Sequence, residues 1–279
     1  MKKFDFTALT FALSLVVIGA PVGAQASTQA STQALSQAAV RSVSRDKPTI
    51  VLVHGAFADG SGWQRIIPLL QRDGYTVIAA QTPLSSLAED VATTQRIIKA
   101  QSGAVVLVGH SYGGAVISGA AAGQGNVVAL VYLAAFAPDG GEPVGAYNAK
   151  YPTALGTSLV VDGAGFGTID RAKFRDVFAG DVPVVDARVM AATQKPAHVS
   201  IFEAINPAAA WRTIPSWYLI SRQDRTISPD LERFFAQRMG ARTSEIDASH
   251  VAFISHPREV ARLIETAARS SAVSTGGGR

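Results

Sequence analysis

Short apolar runs alternate with longer amphipathic segments along most of the chain. Four of these runs predict buried strands, at residues 49–53, 75–80, 104–108 and 127–134. Helical spacing of apolar positions predicts helices between them, at residues 63–72, 87–100 and 112–122. Pro68 predicts a kink or a late start in the first of these helices. Strands that alternate with helices of this length indicate βαβ units and a mostly parallel sheet.

The alternation stops at residues 137–213, which are rich in glycine and proline and contain short helix-like pieces at 171–178 and 185–193. Because this segment is too long for a simple connection, we expect an inserted lid or cap. The alternation then resumes and predicts two strands and two helices, at residues 216–221, 229–239, 243–246 and 257–268. The pattern predicts an α/β fold with one insertion.

The N-terminus has the features of a secretory signal. A basic start, Met1-Lys2-Lys3, precedes an apolar stretch at 8–20 and the small-residue site Ala24-Gln25-Ala26. We expect cleavage after Ala26 and export to the periplasm or medium of a bacterium, with no stable membrane span afterwards. The alternative is an uncleaved membrane anchor. The predicted organisation is therefore a signal peptide (1–26), a flexible leader (27–47), one domain (48–269) and a disordered tail (270–279).

Composition narrows the function classes. Of the 279 residues, 48% are apolar and 16% charged, so the chain can bury a large core. The net charge is only +4 and no basic run is interleaved with aromatic residues, which argues against nucleic-acid binding. The chain has no cysteine, which excludes disulfides, thiolate metal sites and a cysteine nucleophile. We expect neither a cofactor nor a metal ion.

The candidate nucleophile lies between the strand at 104–108 and the helix at 112–122. Gly109-His110-Ser111-Tyr112-Gly113 matches the G-x-S-x-G pattern of a nucleophile elbow, a sharp strand-to-helix turn that presents a serine. Side chains at Gly109 and Gly113 would collide with neighbouring backbone in such a turn. Ser111 is therefore the predicted nucleophile.

A serine hydroxyl needs a base, and that base is usually a histidine held by a carboxylate. His250 follows the final predicted strand and should lie at the same sheet edge as Ser111. His54 and His110 belong to tight glycine motifs and are interpreted as structural. His198 lies in the insertion at a surface or pocket position, and His256 precedes a helix. His250 is the predicted base.

Three aspartates are candidates for the acid. Asp224 follows the strand at 216–221, at the expected edge and in the expected chain order of serine, acid and histidine. Asp139 follows an earlier strand, and Asp247 is three residues before His250. Asp224 is preferred and the other two remain alternatives.

Acyl transfer also needs donors to the developing oxyanion. The backbone N–H of Tyr112, directly after the nucleophile, is one candidate. The glycine-rich loop after the first strand should supply the second, with Ala56 preferred over Phe57, because Gly55 allows a close backbone approach. Trp63 is interpreted as a packing residue.

With these residues in place, the sequence resembles the α/β-hydrolase superfamily, and within it the small serine esterases related to plant methylesterases and hydroxynitrile lyases. The resemblance covers about residues 48–269 and is weakest over the insertion. Four segments carry it: VLVHGAF…GW, VVLVGHSYGGAV, YLISRQDRTISP and EIDASHVAFISHP. The resemblance implies an α/β-hydrolase fold, a triad of Ser111, Asp224 and His250, and an oxyanion donor at Ala56.

Two positions depart from the hydroxynitrile lyases, which have a lysine after the catalytic histidine and a threonine in the oxyanion loop. Here these positions are Val251 and Gly55, which favours ester hydrolysis over cyanohydrin cleavage. Ser111 stands where a haloalkane dehalogenase needs an aspartate. We therefore expect a carboxylesterase for small or medium apolar esters. A ligand-binding protein with little turnover, and a lyase or perhydrolase, are the alternatives. Apolar residues of the insertion could contact the substrate or form the core of the cap: Tyr147, Tyr151, Phe166, Phe174, Phe178 and Phe202.

Overall fold

A six-stranded parallel sheet forms the centre of the protein in a computed structural model, which describes residues 47–274. In chain order, the strands within residues 47–274 are β1 (Thr49–Val53), β2 (Val77–Ala79), β3 (Val105–His110), β4 (Val127–Leu133), β5 (Leu159–Val161), β6 (Phe166–Ile169), β7 (Ala197–His198), β8 (Ser216–Ser221) and β9 (Arg242–Ile246). The central sheet has the order β2-β1-β3-β4-β8-β9, and every neighbouring pair in it is parallel.

Helices connect these strands. The α-helices are α1 (Ile67–Arg72), α2 (Leu87–Lys99), α3 (Gly113–Ala120), α4 (Phe174–Phe178), α5 (Val184–Ala192), α6 (Pro229–Arg238), α7 (Ala252–Ser255) and α8 (Pro257–Ser274). Short 3₁₀ helices lie at Gly60–Arg65, Ala154–Thr157, Val199–Phe202 and Ala210–Arg212.

The strand order reverses direction at β1, and this reversal positions the candidate site. From β1 the chain passes to β2 on one side, then to β3 and β4 on the other. Val53 at the end of β1 pairs with Gly109 near the end of β3, so the loops that follow these two strands leave the sheet side by side. Ligands of open α/β sheets bind at such a switch point, beyond the carboxyl ends of the strands.

Local sequence explains the central elements well. All six residues of β3 and all eight of α3 are buried, which agrees with the apolar run before Ser111 and the small residues after it. Helix α2 begins at an N-cap, Ser86, whose hydroxyl accepts a hydrogen bond from the N–H of Glu89. Acidic residues in its first turn and basic residues in its last turn complement the helix dipole.

The predicted helix at 63–72 is divided in the structure. A 3₁₀ helix, Gly60–Arg65, comes first, and α1 begins only at Ile67 with Pro68 in its first turn. Proline is tolerated there because the N–H it lacks would have no partner within the helix. The late start that Pro68 predicted is confirmed.

The insertion contains a small sheet that the sequence analysis missed. Strands β5, β6 and β7 form an antiparallel three-stranded sheet, in which Phe166 pairs with His198. Each strand has two to four residues, which is too short for a clear alternating pattern. Helices α4 and α5 lie close to the helix-like pieces predicted for this segment.

The ends of the domain differ from the prediction at one boundary. Helix α8 continues through Ser274, so the predicted start of the tail at 270 falls inside a helix. The predicted signal peptide (1–26) and nearly all of the predicted leader lie outside the described residues. Among the residues that are described, no helix has both the length and the apolar character needed to cross a membrane.

Candidate active site

Ser111 occupies a sharp turn between β3 and α3. Its φ angle is 55°, in the left-handed region that non-glycine residues rarely adopt. The two flanking glycines make the turn possible. A Cβ atom at Gly109 would lie 2.6 Å from the carbonyl oxygen of Gly113, and one at Gly113 would lie 2.5 Å from the carbonyl oxygen of Val53. The collisions predicted for side chains at these positions are confirmed.

Backbone hydrogen bonds hold this strained turn in place. The N–H of Ser111 donates to the carbonyl of Leu133 at 3.2 Å. The carbonyl of Ser111 accepts from the N–H groups of Gly114 and Phe136, both at 3.0 Å. A strained backbone persists only where its surroundings determine it in this way, and such strain is common at functional sites.

His250 is buried next to the turn and is paired with Asp224. Its Nδ1 lies 2.5 Å from Asp224 Oδ2, and both side chains are fully buried. The carbonyl oxygen of His250 accepts a hydrogen bond of 3.0 Å from Nε2 of His110, the residue before Ser111. The two imidazole rings lie 4.5 Å apart. The His250–Asp224 pair is therefore in direct contact with the turn that carries Ser111.

The second nitrogen of His250 is open. Within residues 47–274, His250 Nε2 is buried and has no hydrogen-bond partner, and no hydrogen bond joins it to the Ser111 hydroxyl. The structure thus brings the histidine and the aspartate into hydrogen-bond contact, and the serine into the same neighbourhood without that final bond.

Asp224 is held by the loop that follows β8. Its Oδ1 accepts hydrogen bonds from the backbone N–H groups of Thr226 at 2.6 Å and Ile227 at 3.0 Å. These donors fix the carboxylate so that Oδ2 faces His250. Each of the two alternative aspartates pairs with a surface arginine instead: Asp139 with Arg212, and Asp247 with Arg222.

The loop after β1 lies directly against Ser111. A Cβ atom at Gly55 would come within 2.7 Å of the Ser111 Cβ, so only glycine allows this approach. Phe57 has a φ of 63°, which turns the loop sharply. Among the described residues, no acceptor is recorded for the backbone N–H groups of Ala56, Phe57 and Tyr112. These donors are free to bind an oxygen of a ligand.

His54 and His110, interpreted from the sequence as structural residues, are buried imidazoles with hydrogen-bond partners. His54 Nδ1 donates to the carbonyl of Gly55 at 2.9 Å, and its Nε2 accepts from the N–H of Thr82 at 3.2 Å. Burial lowers the pKa of His54 to about 4. Burial likewise lowers the pKa of His110 well below its usual value. Both residues fasten loops at the edge of the sheet.

The other two histidines lie away from this pair. His198 lies in the insertion, where its Nδ1 is 2.7 Å from the hydroxyl of Ser200. The Nδ1 atom of His256 is 2.9 Å from the hydroxyl of Ser255, just before α8. Within residues 47–274, neither His198 nor His256 forms a hydrogen bond or a ring contact with His250 or Ser111.

The sequence analysis missed two buried acids near the site. Asp90 on α2 accepts hydrogen bonds from the hydroxyl of Tyr112 at 2.7 Å and the N–H of Leu84 at 2.8 Å. Burial raises the pKa of Asp90. Glu232 on α6 is the second, and its carboxyl lies against that of Asp224. Both residues are in the first turn of a helix, where an exposed acid is the ordinary expectation, so the sequence offered no signal for their burial.

Two cavities lie near the candidate triad, lined by neighbours of its residues such as Val251 and Thr226 but not by Ser111, Asp224 or His250 themselves. The oxyanion-side cavity has a volume of about 460 Å³ and is bordered by Phe57, α4, α5 and Phe253. The acid-side cavity has a volume of about 310 Å³ and is bordered by Phe136, Phe202 and the loop after Asp224. Of the apolar residues singled out in the insertion, four line a cavity: Phe174 and Phe178 on the oxyanion side, and Tyr151 and Phe202 on the acid side.

Packing around the oxyanion-side cavity is aromatic. The ring of Phe178 lies 4.9 Å from that of His250, and Phe253 lies 4.8 Å from His110. Trp63 is buried and its ring lies 4.4 Å from Phe253, so its predicted packing role is confirmed. Within the described part of the chain, no group of three or more histidine, cysteine or acidic side chains could hold a metal ion.

The family follows from comparison with known proteins. The model of the α/β hydrolase family matches residues 50–263, and the chain belongs to this family. The predicted fold class and the resemblance to the superfamily are confirmed.

Individual relatives agree with this class. The chain is 30% identical over 247 residues to the α/β hydrolase nvfD of Aspergillus novofumigatus, a match that covers 80% of this chain and 97% of that protein. It is 28% identical over 244 residues to a pyrethroid hydrolase of Sphingobium wenxiniae, covering 77% and 85% of the two chains. A crystal structure of polyneuridine aldehyde esterase shares the fold, with a TM-score of 0.69 at 19% identity over 79% of this chain and 98% of the other. The relatives are named as hydrolases and an esterase.

Proposed function

We propose that the protein is a serine hydrolase that cleaves small or medium apolar carboxylic esters. Ser111 is the nucleophile, His250 the general base and acid, and Asp224 the residue that orients the imidazole. The observation that carries the proposal is the fully buried His250–Asp224 pair beside the strained turn of Ser111, with the second nitrogen of the histidine left open.

The hydrogen bond between His250 and Asp224 determines which imidazole nitrogen can accept a proton. Because Nδ1–H donates to Asp224, the lone pair of the neutral imidazole is on Nε2, the nitrogen without a partner in the described residues. Nε2 accepts the Ser111 proton as Oγ bonds to the ester carbonyl carbon. Asp224 stabilises the resulting imidazolium, which then protonates the leaving alcohol. Water, activated by the same nitrogen, hydrolyses the acyl-enzyme and restores Ser111.

The negative charge of the tetrahedral intermediate needs donors that are already in place. The backbone N–H groups of Ala56 and Tyr112 are the proposed pair, and Phe57 N–H is the alternative in the same loop. Two observations support this choice. These N–H groups have no hydrogen-bond acceptor among the described residues, and Gly55 closely approaches Ser111. One donor of this kind contributes about 10²–10³ to the rate in other enzymes.

Ser111 and His250 do not share a hydrogen bond in the structure. In unliganded enzymes such bonds are often long and tighten only when substrate binds. A change in the Ser111 rotamer is the adjustment that we expect on binding, because hydrogen bonds on both sides fix its backbone.

The two cavities define the proposed substrate class. An ester bound at Ser111 extends its acyl and alcohol groups away from the carbonyl carbon, and the oxyanion-side and acid-side cavities accept these groups. Aromatic side chains border both cavities, including Phe178 in the first and Phe136 in the second, which favours apolar groups. The relative from Sphingobium wenxiniae is named a pyrethroid hydrolase, so pyrethroids belong in the substrate panel.

We also propose that the protein is exported and that its signal peptide, residues 1–26, is removed. The basic start, the short apolar stretch and the Ala24-Gln25-Ala26 site support this. N-terminal sequencing of the protein recovered from periplasm and medium tests it. A mature chain that begins at Ser27 is expected, and an intact Met1 in the membrane fraction would show an anchor instead.

The decisive experiment compares wild-type protein with Ser111→Ala, and uses Ser102→Ala, an exposed serine in a loop, as the control. A fluorophosphonate probe should label the wild type and Ser102→Ala but not Ser111→Ala. Hydrolysis of p-nitrophenyl butyrate by Ser111→Ala should fall by about 10⁴–10⁶ in kcat. Absence of labelling in the wild type would indicate a binding protein. Labelling without ester hydrolysis would indicate a lyase or perhydrolase.

A further inference from the structure

Glu232 on α6 has no part in the mechanism above, yet it is completely buried. Glutamate is almost never buried in this way unless it is paired. Its Oε2 accepts a hydrogen bond of 3.0 Å from the N–H of Ser221, the last residue of β8. No N–H or O–H donor in the described residues bonds to its Oε1. Within the described residues, no hydrogen bond therefore explains the burial of the Oε1 atom of this carboxyl group.

Glu232 and Asp224 meet at the turn after β8, because Ser221 donates its N–H to Glu232 and its carbonyl accepts from the N–H of Asp224 at 3.1 Å. The two carboxyl groups interact there. Two buried carboxylates in contact repel each other, so such a pair retains one proton. Asp224 accepts hydrogen bonds from His250, Thr226 and Ile227, whereas Glu232 accepts one, from Ser221. Because donors stabilise the charged form, the charge belongs on Asp224 and the proton on Glu232.

The other groups that face Glu232 do not neutralise it. Arg233, next on α6, forms its ion pairs with Asp230 and Glu245 at the surface. Tyr218 on β8 uses its hydroxyl on the carbonyl of Ala135. Burial, followed by the charge of Asp224, raises the pKa of Glu232 well above its usual range.

We propose that Glu232 is a positioning residue that acts as a neutral hydrogen-bond donor from Oε1 to the Asp224 carboxylate. The inference rests on the proposed triad and extends it by one residue. The added donor locks Asp224 in the orientation that His250 needs, and it draws charge away from the Oδ2 atom that faces the imidazole. Asp224 then stabilises the imidazolium less than a carboxylate without this donor would.

Ionisation of Glu232 would reverse this arrangement. At alkaline pH its proton passes to solvent, and the second carboxylate repels Asp224 and disturbs its bond to His250. The wild-type enzyme should therefore lose activity on the alkaline side through a group other than the histidine.

The test compares Glu232→Gln with Glu232→Leu in full pH profiles of kcat/KM for p-nitrophenyl butyrate. Glutamine retains a donor but cannot ionise, so it should keep kcat within about twofold of wild type at neutral pH and should remove the alkaline limb. Leucine removes the donor, so kcat should fall at least about tenfold with little change in KM, since hydrogen bonds to charged groups have effects of this size.

Two outcomes would overturn the inference: an unchanged alkaline limb in Glu232→Gln, or a loss of kcat in Glu232→Gln as large as in Glu232→Leu. Difference infrared spectroscopy gives a readout that holds even if the leucine variant does not fold. A band from a buried protonated carboxylic acid should be present in the wild type and absent in Glu232→Gln, and its absence from the wild type would also contradict the inference.

Fluorophosphonate labelling separates the two proposals. If the wild type is not labelled at Ser111, the proposed function fails. If it is labelled normally but the two Glu232 variants show the wild-type pH profile, only the role of Glu232 fails.

Discussion

The carboxyl edge of the parallel sheet and the insertion at 137–213 differ in how far their side chains are exposed to solvent. At the sheet edge, Ser111, Asp224 and His250 are between 1% and 5% exposed. In the insertion, apolar side chains reach the surface, and Val185 is 72% exposed. All large apolar side chains left exposed among the described residues belong to the insertion: Val160, Val161, Val184, Val185, Val189 and Ile205.

Under the proposed function, the difference corresponds to two physical tasks. Proton transfer requires side chains that are fixed by packing and by second hydrogen bonds, because small displacements cost large factors in rate. At the sheet edge, β3 lies between the parallel strands β1 and β4, which provide this rigidity. The proposed apolar substrate instead needs a surface that it can contact from water, and the side of α5 that carries Val189 and Met190 lines the oxyanion-side cavity. Variants that change one region and leave the other intact test this division.

After Ser111→Ala, the largest expected effect concerns the acid of the proposed triad. Asp224→Asn should lower kcat by about 10⁴, because asparagine favours the wrong tautomer of His250 and cannot stabilise an imidazolium. Asp247→Asn is the matched control, since Asp247 is an exposed partner of Arg222 and should leave kcat unchanged. Steady-state kinetics with p-nitrophenyl butyrate measure both. Equal losses in the two variants would reopen the choice of acid.

The next largest effect is expected from a Gly→Ala substitution, which should lower activity at the sheet edge but not in the insertion. Gly55→Ala places a Cβ atom 2.7 Å from the Ser111 Cβ, so the oxyanion loop must shift. We expect kcat to fall by about 10²–10³, the effect of losing one oxyanion donor. Gly163→Ala in the insertion meets no atom within 4 Å and should be neutral in activity. Wild-type kcat in Gly55→Ala would contradict the proposed position of the oxyanion site.

Buried histidines at the edge should make folding sensitive to acid. His54 has a usual pKa of 6.5 and a folded-state pKa of about 4, so between these values the unfolded chain binds a proton that the folded protein does not. The free energy of unfolding should fall as the pH decreases through this window, by ~3 kcal/mol for a shift of this size. His110, whose pKa is lowered in the same direction, adds to the slope.

Urea denaturation at a series of pH values measures this slope, and His54→Asn should have a smaller one. A wild-type free energy of unfolding that is constant through the window would show that these histidines are not held neutral.

The smallest expected effect concerns the insertion. Met190 on α5 lines the oxyanion-side cavity, so Met190→Trp should fill part of it. We expect KM for bulky aromatic esters to rise by about tenfold and KM for acetate esters to stay the same, since lost apolar contacts of this size correspond to 1–3 kcal/mol. Val185→Trp on the exposed side of the same helix is the control. If both variants raise KM equally, the cavity is not the substrate site.

Local sequence was sufficient for much of this protein. The parallel sheet was predictable because β-branched runs and helical spacing are local patterns. The turn at Ser111 was predictable because Gly109 and Gly113 occupy positions that admit no side chain. Chain order then led to His250 and Asp224, since both follow strands whose carboxyl ends meet at one edge.

Tertiary structure decided what depends on residues far apart in the chain. Chain order favoured Asp224, but only the tertiary structure shows that Asp224 lies against His250 whereas Asp139 and Asp247 meet surface arginines. The sheet of β5–β7 and the contact of Glu232 with Asp224 had no local signal, because strands of two to four residues and an acid in a helix's first turn are compatible with many environments. Local patterns specify elements and tight turns, whereas the burial and pairing of a charged group are determined only when distant segments pack together.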